Sequence, residues 1–228
     1  MSSDLVIGEN KFWGERIINV CKPGWRRVIA SATKYIALKG FSGFFLDNLD
    51  VVDEYPWMKP CIIRLIRDIR SWYPGLRIMV NRGFTLLPDI ARYIDYVLFE
   101  DFITYYDTAT HQYRFFTGKD LDWINKTIRI IHGLGEKYGI RLYLLAYAPL
   151  DNASFLNKLC ELREKIDPRD PLYVATWRLD TLGLCNPCAE TNNIHEPTKL
   201  GGYALAVMLL IFVLIPGLVI ARKRLFIK

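Results

Sequence analysis

An α/β chain of repeating β/α units, with one membrane-spanning helix at its C-terminus, is the fold class the sequence predicts. Three observations carry it. Five short β-rich runs recur between residues 40 and 180, amphipathic stretches of helical spacing separate them, and residues 203–221 hold nineteen positions without a charge. The runs are FSGFFL (41–46), RIMV (77–80), YVLF (96–99), RLYLLA (141–146) and PLYVAT (171–176), each apolar enough for a strand covered on both faces. Between them IIRLIRDIRSWY (62–73), DWINKTIRIIHGLGEKYG (122–139) and NASFLNKLCELREKI (152–166) repeat apolar residues every three or four positions, with Asp122 and Asn152 as candidate caps. Strand and helix in alternation imply a parallel sheet with right-handed crossovers, at about 32 residues per unit.

The segment Tyr203–Ala221 is long enough, at about 1.5 Å per residue, to cross a hydrocarbon layer of roughly 30 Å. Pro216 is compatible with such a helix. RKRLFIK follows it and a nearly neutral segment precedes it, so the basic tail is expected in the cytoplasm and the body outside. Four organisational parts result: a (β/α) body over 1–180, a juxtamembrane linker over 181–202, the span over 203–221 and a cytoplasmic tail over 222–228. The partners this implies are the lipid bilayer and, for the body, an extracytoplasmic ligand. Nucleic acid is excluded as a partner. Arg222, Lys223, Arg224 and Lys228 supply four of the six net positive charges, and the rest of the chain nets only +2.

Each strand ends on a chemically active residue: Asp47, Asn81, Glu100, Tyr147 and Trp177. In a parallel barrel the C-terminal strand ends gather on one face, where catalytic groups come from several strands. Two carboxylic acids there, with amide, guanidinium and aromatic groups around them, suit cleavage of a glycosidic bond: one acid protonates the leaving oxygen and the other attacks or activates water. Strand-end Asp and Asn also cap the helices that follow, and spacing leaves both readings open.

KGFSGFFLDNLD (39–50), VNRGFTLLPDIARYIDYVLFED (80–101) and LLAYA (144–148) resemble the strand motifs of glycoside hydrolase family 114, TIM-barrel endo-α-1,4-polygalactosaminidases. FWGERIINVCKPGWRRVI (12–29) resembles the segment before them, so the likeness runs from about 12 to 180. The resemblance implies a TIM-barrel-like body, Asp47 and Glu100 as catalytic carboxylates, and no metal or cofactor. Asp47 takes the nucleophile or base role and Glu100 the acid role, or the reverse. It further implies substrate contacts from Asp50, Asn81, Arg82, Tyr147 and Trp177, on an α-linked, galactosamine-type polysaccharide. Asp50 can equally be a solvated turn carboxylate.

Two motif positions depart from the family. Ser42 stands where GFDG has aspartate, and Ala146 where DYA has one, removing a polar group expected beside the cleft. Five recognisable strands against eight in a closed barrel, with no export signal in MSSDLVIGENKFW, lead to the expectation of an N-terminally shortened form. Another polypeptide would then supply the missing strands. The rival reading is a non-catalytic carbohydrate-binding or envelope-associated protein. Among the remaining signals, Cys21, Cys61, Cys160, Cys185 and Cys188 show no disulfide framework, and a local Cys185–Cys188 bridge or inert thiols is expected. His111, His132 and His195 show no ligand spacing. Asn125-Lys-Thr127 and Asn152-Ala-Ser154 fit the glycosylation triplet. Residues 105–123 read as a long connection after Glu100.

Overall fold

Every strand run read from the sequence forms a strand in the computed structural model, which describes residues 5–10 and 15–188. The chain divides into two units, one ending at Asp95 and the other beginning at Tyr96.

The first unit opens with an antiparallel hairpin, β1 (Val6–Asn10) and β2 (Glu15–Ile18), followed by α1 (Pro23–Leu38). Pro23 sits in the first turn of α1, where a missing N–H costs nothing. Strand β3 (Gly43–Leu46) then pairs in parallel with β4 (Arg77–Asn81), matching Gly43 to Arg77 and Leu46 to Val80. Gly43 is required by this approach, because a Cβ there would lie 2.5 Å from the Arg77 carbonyl oxygen. Between the two strands run α2 (Val51–Glu54) and α3 (Lys59–Trp72). Helix α3 buries Ile62, Ile66 and Ile69, spaced four and three apart, each contributing about 1.5–3 kcal/mol by leaving water. A disulfide from Cys21 to Cys61 ties the start of α1 to α3. After β4, α4 (Leu87–Ile90) leads into a 3-10 turn at Ala91–Tyr93.

Arg70 staples this region. Its guanidinium donates to the Tyr93, Pro74 and Leu76 carbonyls and to Asp95, which also accepts from Arg77 and from the Ile78 amide at 2.8 Å. Burial pushes the Asp95 carboxyl up, but the Ile78 amide, Arg77 and Arg70 together outweigh it and hold the group below its ordinary value.

The second unit is built on β5 (Tyr96–Glu100), β8 (Arg141–Tyr147) and β9 (Leu172–Ala175), parallel in that order, with the short β10 (Leu184–Cys185) antiparallel on β9. Crossovers are made by α5 (Lys119–Tyr138) and α6 (Ala153–Ile166). Helix α5 buries Ile124, Thr127, Ile128 and Ile131, one face of a 3.6-residue period. It begins after Gly118 rather than at Asp122, which lies in its first turn and there favours the helix dipole. Asn152 does cap α6, its side chain accepting from the Phe155 amide at 3.0 Å. Asn152 of the second glycosylation triplet is thus occupied, and in the first triplet Thr127 is buried in α5.

Residues 105–123 are not one long connection. They form a second antiparallel hairpin, β6 (Thr104–Asp107) with β7 (Gln112–Phe115), before α5 starts. The cysteine expectation also fails. Cys188 bonds Cys160 on α6 across the fold, Cys185 is a free exposed thiol, and the covalent framework that sequence spacing hid is present. Residues 181–188 therefore carry both a strand and a disulfide of this unit. No described helix is long and apolar enough to cross a membrane, and the span expected over 203–221, with its basic tail, lies outside the described residues.

Candidate active site

In the first unit, the end of β3 meets the end of β4. Asp47 follows Leu46, and its Oδ1 accepts from Asn81 Nδ2 at 2.9 Å and from the Asn48 amide at 2.7 Å. Asp47 is therefore not the cap of a following helix, and Asn81, which precedes the left-handed pair Arg82 (φ 54°) and Gly83 (φ 62°), is not one either. Gly83 is held by space as well as by backbone, since a Cβ there would lie 2.7 Å from Leu49 Cβ. The turn swings Arg82 inward, where it is 9% exposed, with Nε 3.8 Å from an Asp50 oxygen and its guanidinium 5.6 Å from the Phe84 ring centroid. Asp50 is 8% exposed, which removes the solvated-turn reading. Asp47, Asp50, Asn81 and Arg82 thus form one polar cluster at two neighbouring strand ends.

In the second unit, Glu100 ends β5 and Tyr147 ends β8, in adjacent parallel strands whose register matches Glu100 to Leu145. Both are buried, and the Tyr147 hydroxyl donates to Glu100 Oε1 in a short hydrogen bond. The Tyr147 amide donates to Thr104 Oγ1 at 3.1 Å, so the fully buried Thr104 fixes the strand end that carries the phenol. Immediately after Glu100 the backbone is strained. Asp101 and Ile103 both have positive φ (59° and 62°), and the Thr104 amide bonds back to the Phe102 carbonyl at 2.7 Å across Ile103. Such a turn at a β-branched residue costs on the order of 1–3 kcal/mol and is kept only where the surroundings impose it. Here fully buried Phe102 and Ile103 do so.

Alternation along β8 sets Ala146 on the opposite face from Tyr147, fully buried, so the family aspartate it replaces would not have stood beside the Glu100–Tyr147 pair. Trp177, just past β9, is stacked on Tyr106 of β6 with centroids 4.6 Å apart and planes 5° from parallel, and Arg178 lies 5.4 Å from its centroid. Its amide donates to the Tyr113 hydroxyl at 3.3 Å. Thr104, Tyr106 and Tyr113 are the contributors that sequence reasoning missed. Their signal was the alternation Thr104, Tyr106 and Tyr113, Phe115 on either side of an Asp-Thr-Ala-Thr turn.

A second polar cluster lies at the other end of the strands of this unit. His132 on α5, for which spacing gave no ligand partners, has Nε2 2.6 Å from Asp170 and 3.8 Å from Asp167. Burial, with the Asp170 carboxylate adding to it, pushes the Asp167 carboxyl up to about 6, against the opposing pull of the Arg169 amide and His132.

An alternating α/β chain of TIM-barrel-like type, with acids, an amide and a phenol at the C-terminal ends of its parallel strands, is the scaffold of a strand-end hydrolase. The family description "Glycoside-hydrolase family GH114" matches residues 1–121, and the chain belongs to that family. Its fold resembles the glycoside hydrolase domain of PelA from Pseudomonas aeruginosa, with a TM-score of 0.69 and 23% identity over 80% of this chain and 72% of that one. A glutamate-to-alanine variant of the same PelA domain matches with a TM-score of 0.66 and 23% identity over 80% and 70%. No match was found among curated proteins.

Proposed function

We propose that the chain hydrolyses an α-linked amino-sugar polysaccharide of the galactosamine type, with Asp47 and Glu100 as its carboxylate pair. The observation that carries this is Glu100, a buried acid at the end of a parallel strand with a phenol O–H delivered to it from the next strand end, in a member of a glycoside-hydrolase family. Asp47 supports the complementary role. Its Oδ1 is held by two N–H donors, which fixes the carboxyl group in place for attack or for activating water. In this reading Glu100 protonates the leaving oxygen, and Asp47 attacks the anomeric carbon or activates water. Asn81 orients Asp47, Arg82 and Asp50 contact substrate hydroxyls, and the Trp177–Tyr106 stack offers an aromatic edge to a sugar ring.

The protein acts, in this proposal, outside the cytoplasm and anchored by residues 203–221. Two cross-fold disulfides favour an oxidising compartment. Incubating the full chain with an α-1,4-linked galactosamine polymer should release shortened products. Asp47→Asn and Glu100→Gln should each abolish release while leaving the circular dichroism spectrum unchanged. Full turnover in Glu100→Gln refutes the assignment. Membrane extraction of the full chain against a chain ending at residue 202 tests the anchor: if both fractionate alike, that part of the proposal fails.

A further inference from the structure

We propose that His132, Asp167 and Asp170 form a binding site for a first-row divalent cation of the zinc class, at the N-terminal ends of β8 and β9 and separate from the hydrolytic residues. One ligand atom from each residue, a ring nitrogen and two carboxylate oxygens, lies within 4.8 Å of the other two. Bonds of about 2.0–2.2 Å from such donors to zinc put ligand atoms roughly 3.4 Å apart, so the site closes with sub-ångström to ångström shifts. Asp167 points to a cation independently of that spacing. It is 1% exposed, and its Oδ2 accepts no hydrogen bond. His132 Nε2 stands 3.8 Å from that oxygen, beyond hydrogen-bond reach, and pairs with Asp170 at 2.6 Å instead.

The surroundings fix these ligands as outer groups fix metal ligands. Asp167 Oδ1 accepts from the Arg169 amide at 3.1 Å, and Arg163 Nη2 donates to the Pro168 and Asp170 carbonyls, holding the loop that carries both acids. A pocket of about 350 Å³, lined by His132, Asp170, Arg169 and Glu136, gives the cation an entry and a solvent ligand. Arg169 governs access. Its guanidinium can only donate, so His132 Nδ1 accepts from it and Nε2 carries the proton given to Asp170. A cation at Nε2 requires that proton to move to Nδ1 and the Arg169 side chain, 67% exposed, to withdraw. At the N-terminal end of the strands such a site joins α5 to the α6–β9 connection and serves stability.

The test is zinc titration of the full chain, stripped with chelator and carrying Cys185→Ser to remove the free thiol, read by calorimetry and thermal unfolding. One zinc per chain should raise the unfolding midpoint, and magnesium, which prefers all-oxygen octahedral sites, should not. Asp167→Asn and His132→Gln should each weaken zinc binding at least tenfold, and Arg169→Ala should strengthen it. Asp170→Asn, at a half-buried position, supplies the same test if the Asp167 variant does not fold. Absence of a zinc-dependent midpoint, or unchanged affinity in His132→Gln and Asp170→Asn, overturns the proposal.

Discussion

Replacing Tyr147 by phenylalanine removes one oxygen from the second unit and nothing else, which makes it the sharpest probe of the Glu100 site. The phenol is 2% exposed and Glu100 8%, so no bulk water stands ready to replace the lost donor. Leaving one partner of a buried hydrogen bond unsatisfied costs about 1–3 kcal/mol, and burial of both partners places this one in the upper half of that range. Tyr147→Phe should therefore lower unfolding free energy by about 2–3 kcal/mol in urea titration at neutral pH. If the same contact holds Glu100 in its reacting geometry, kcat/KM falls about 30- to 150-fold, at one decade per 1.36 kcal/mol. A double-mutant cycle with Glu100→Gln isolates the pair: coupling above about 1.5 kcal/mol is expected. A Tyr147→Phe protein within about 0.5 kcal/mol of the parent would refute the reasoning, because the strand-end phenol would then not be bonded to the acid in solution.

Three further outcomes follow from the architecture. Asp95→Asn should cost about 1–2 kcal/mol at pH 7, a figure reduced for screening at a partly exposed site. Because the folded carboxyl is held below 3.8, that margin should be present above pH 4 and vanish as the pH drops through the folded value; urea midpoints at pH 7 and pH 2.5 measure it. Paired Cys21→Ser and Cys61→Ser substitutions open a loop with a sequence separation of 40 residues, and the chain-entropy relation gives a loss of about 4 kcal/mol, to be compared with thermal unfolding of the parent. Gly43→Ala should push β3 from β4 and cost about 1–3 kcal/mol, and a neutral result would mean that the two strands do not approach as closely as described.

The elements legible in the sequence are those whose burial is one-sided or total over many residues. Helices α3, α5 and α6 repeat apolar positions over three turns or more, and β4, β5, β8 and β9 are apolar runs bounded by turn residues. The hairpin β6–β7 escaped because its strands are only four residues each and mix tyrosine with aspartate, glutamine and arginine, so an aromatic polar stretch looked like loop. Its turn chemistry was present: Asp107 Oδ1 accepts from the Ala109 and Thr110 amides, and Arg114 closes on the same carboxylate. Helix α1 was covered by a family-like string and not read as a helix, although Pro23 marks its first turn. Disulfide pairing was beyond sequence because Cys21–Cys61 and Cys160–Cys188 depend on which helices pack, not on cysteine spacing. Of the site, the strand-end residues were legible as positions. Their grouping into Asp47–Asn81, Asp50–Arg82 and Glu100–Tyr147 followed only from register and from the left-handed turn at Arg82 and Gly83. The proximity of His132 to its two acids was hidden for the same reason, since they lie 35 and 38 residues later.

The β6–β7 hairpin is fastened at its root and exposed at its end. The Phe116 amide bonds the Ile103 carbonyl, Tyr105 packs on Phe116 at 4.7 Å, and Ala109 to Gln112 face solvent. Insertions grafted at Thr110 would extend a finger outward without disturbing the strained turn that follows Glu100. Length and chemistry can thus change at that tip while the backbone bonds at the root, and the turn behind them, keep their geometry.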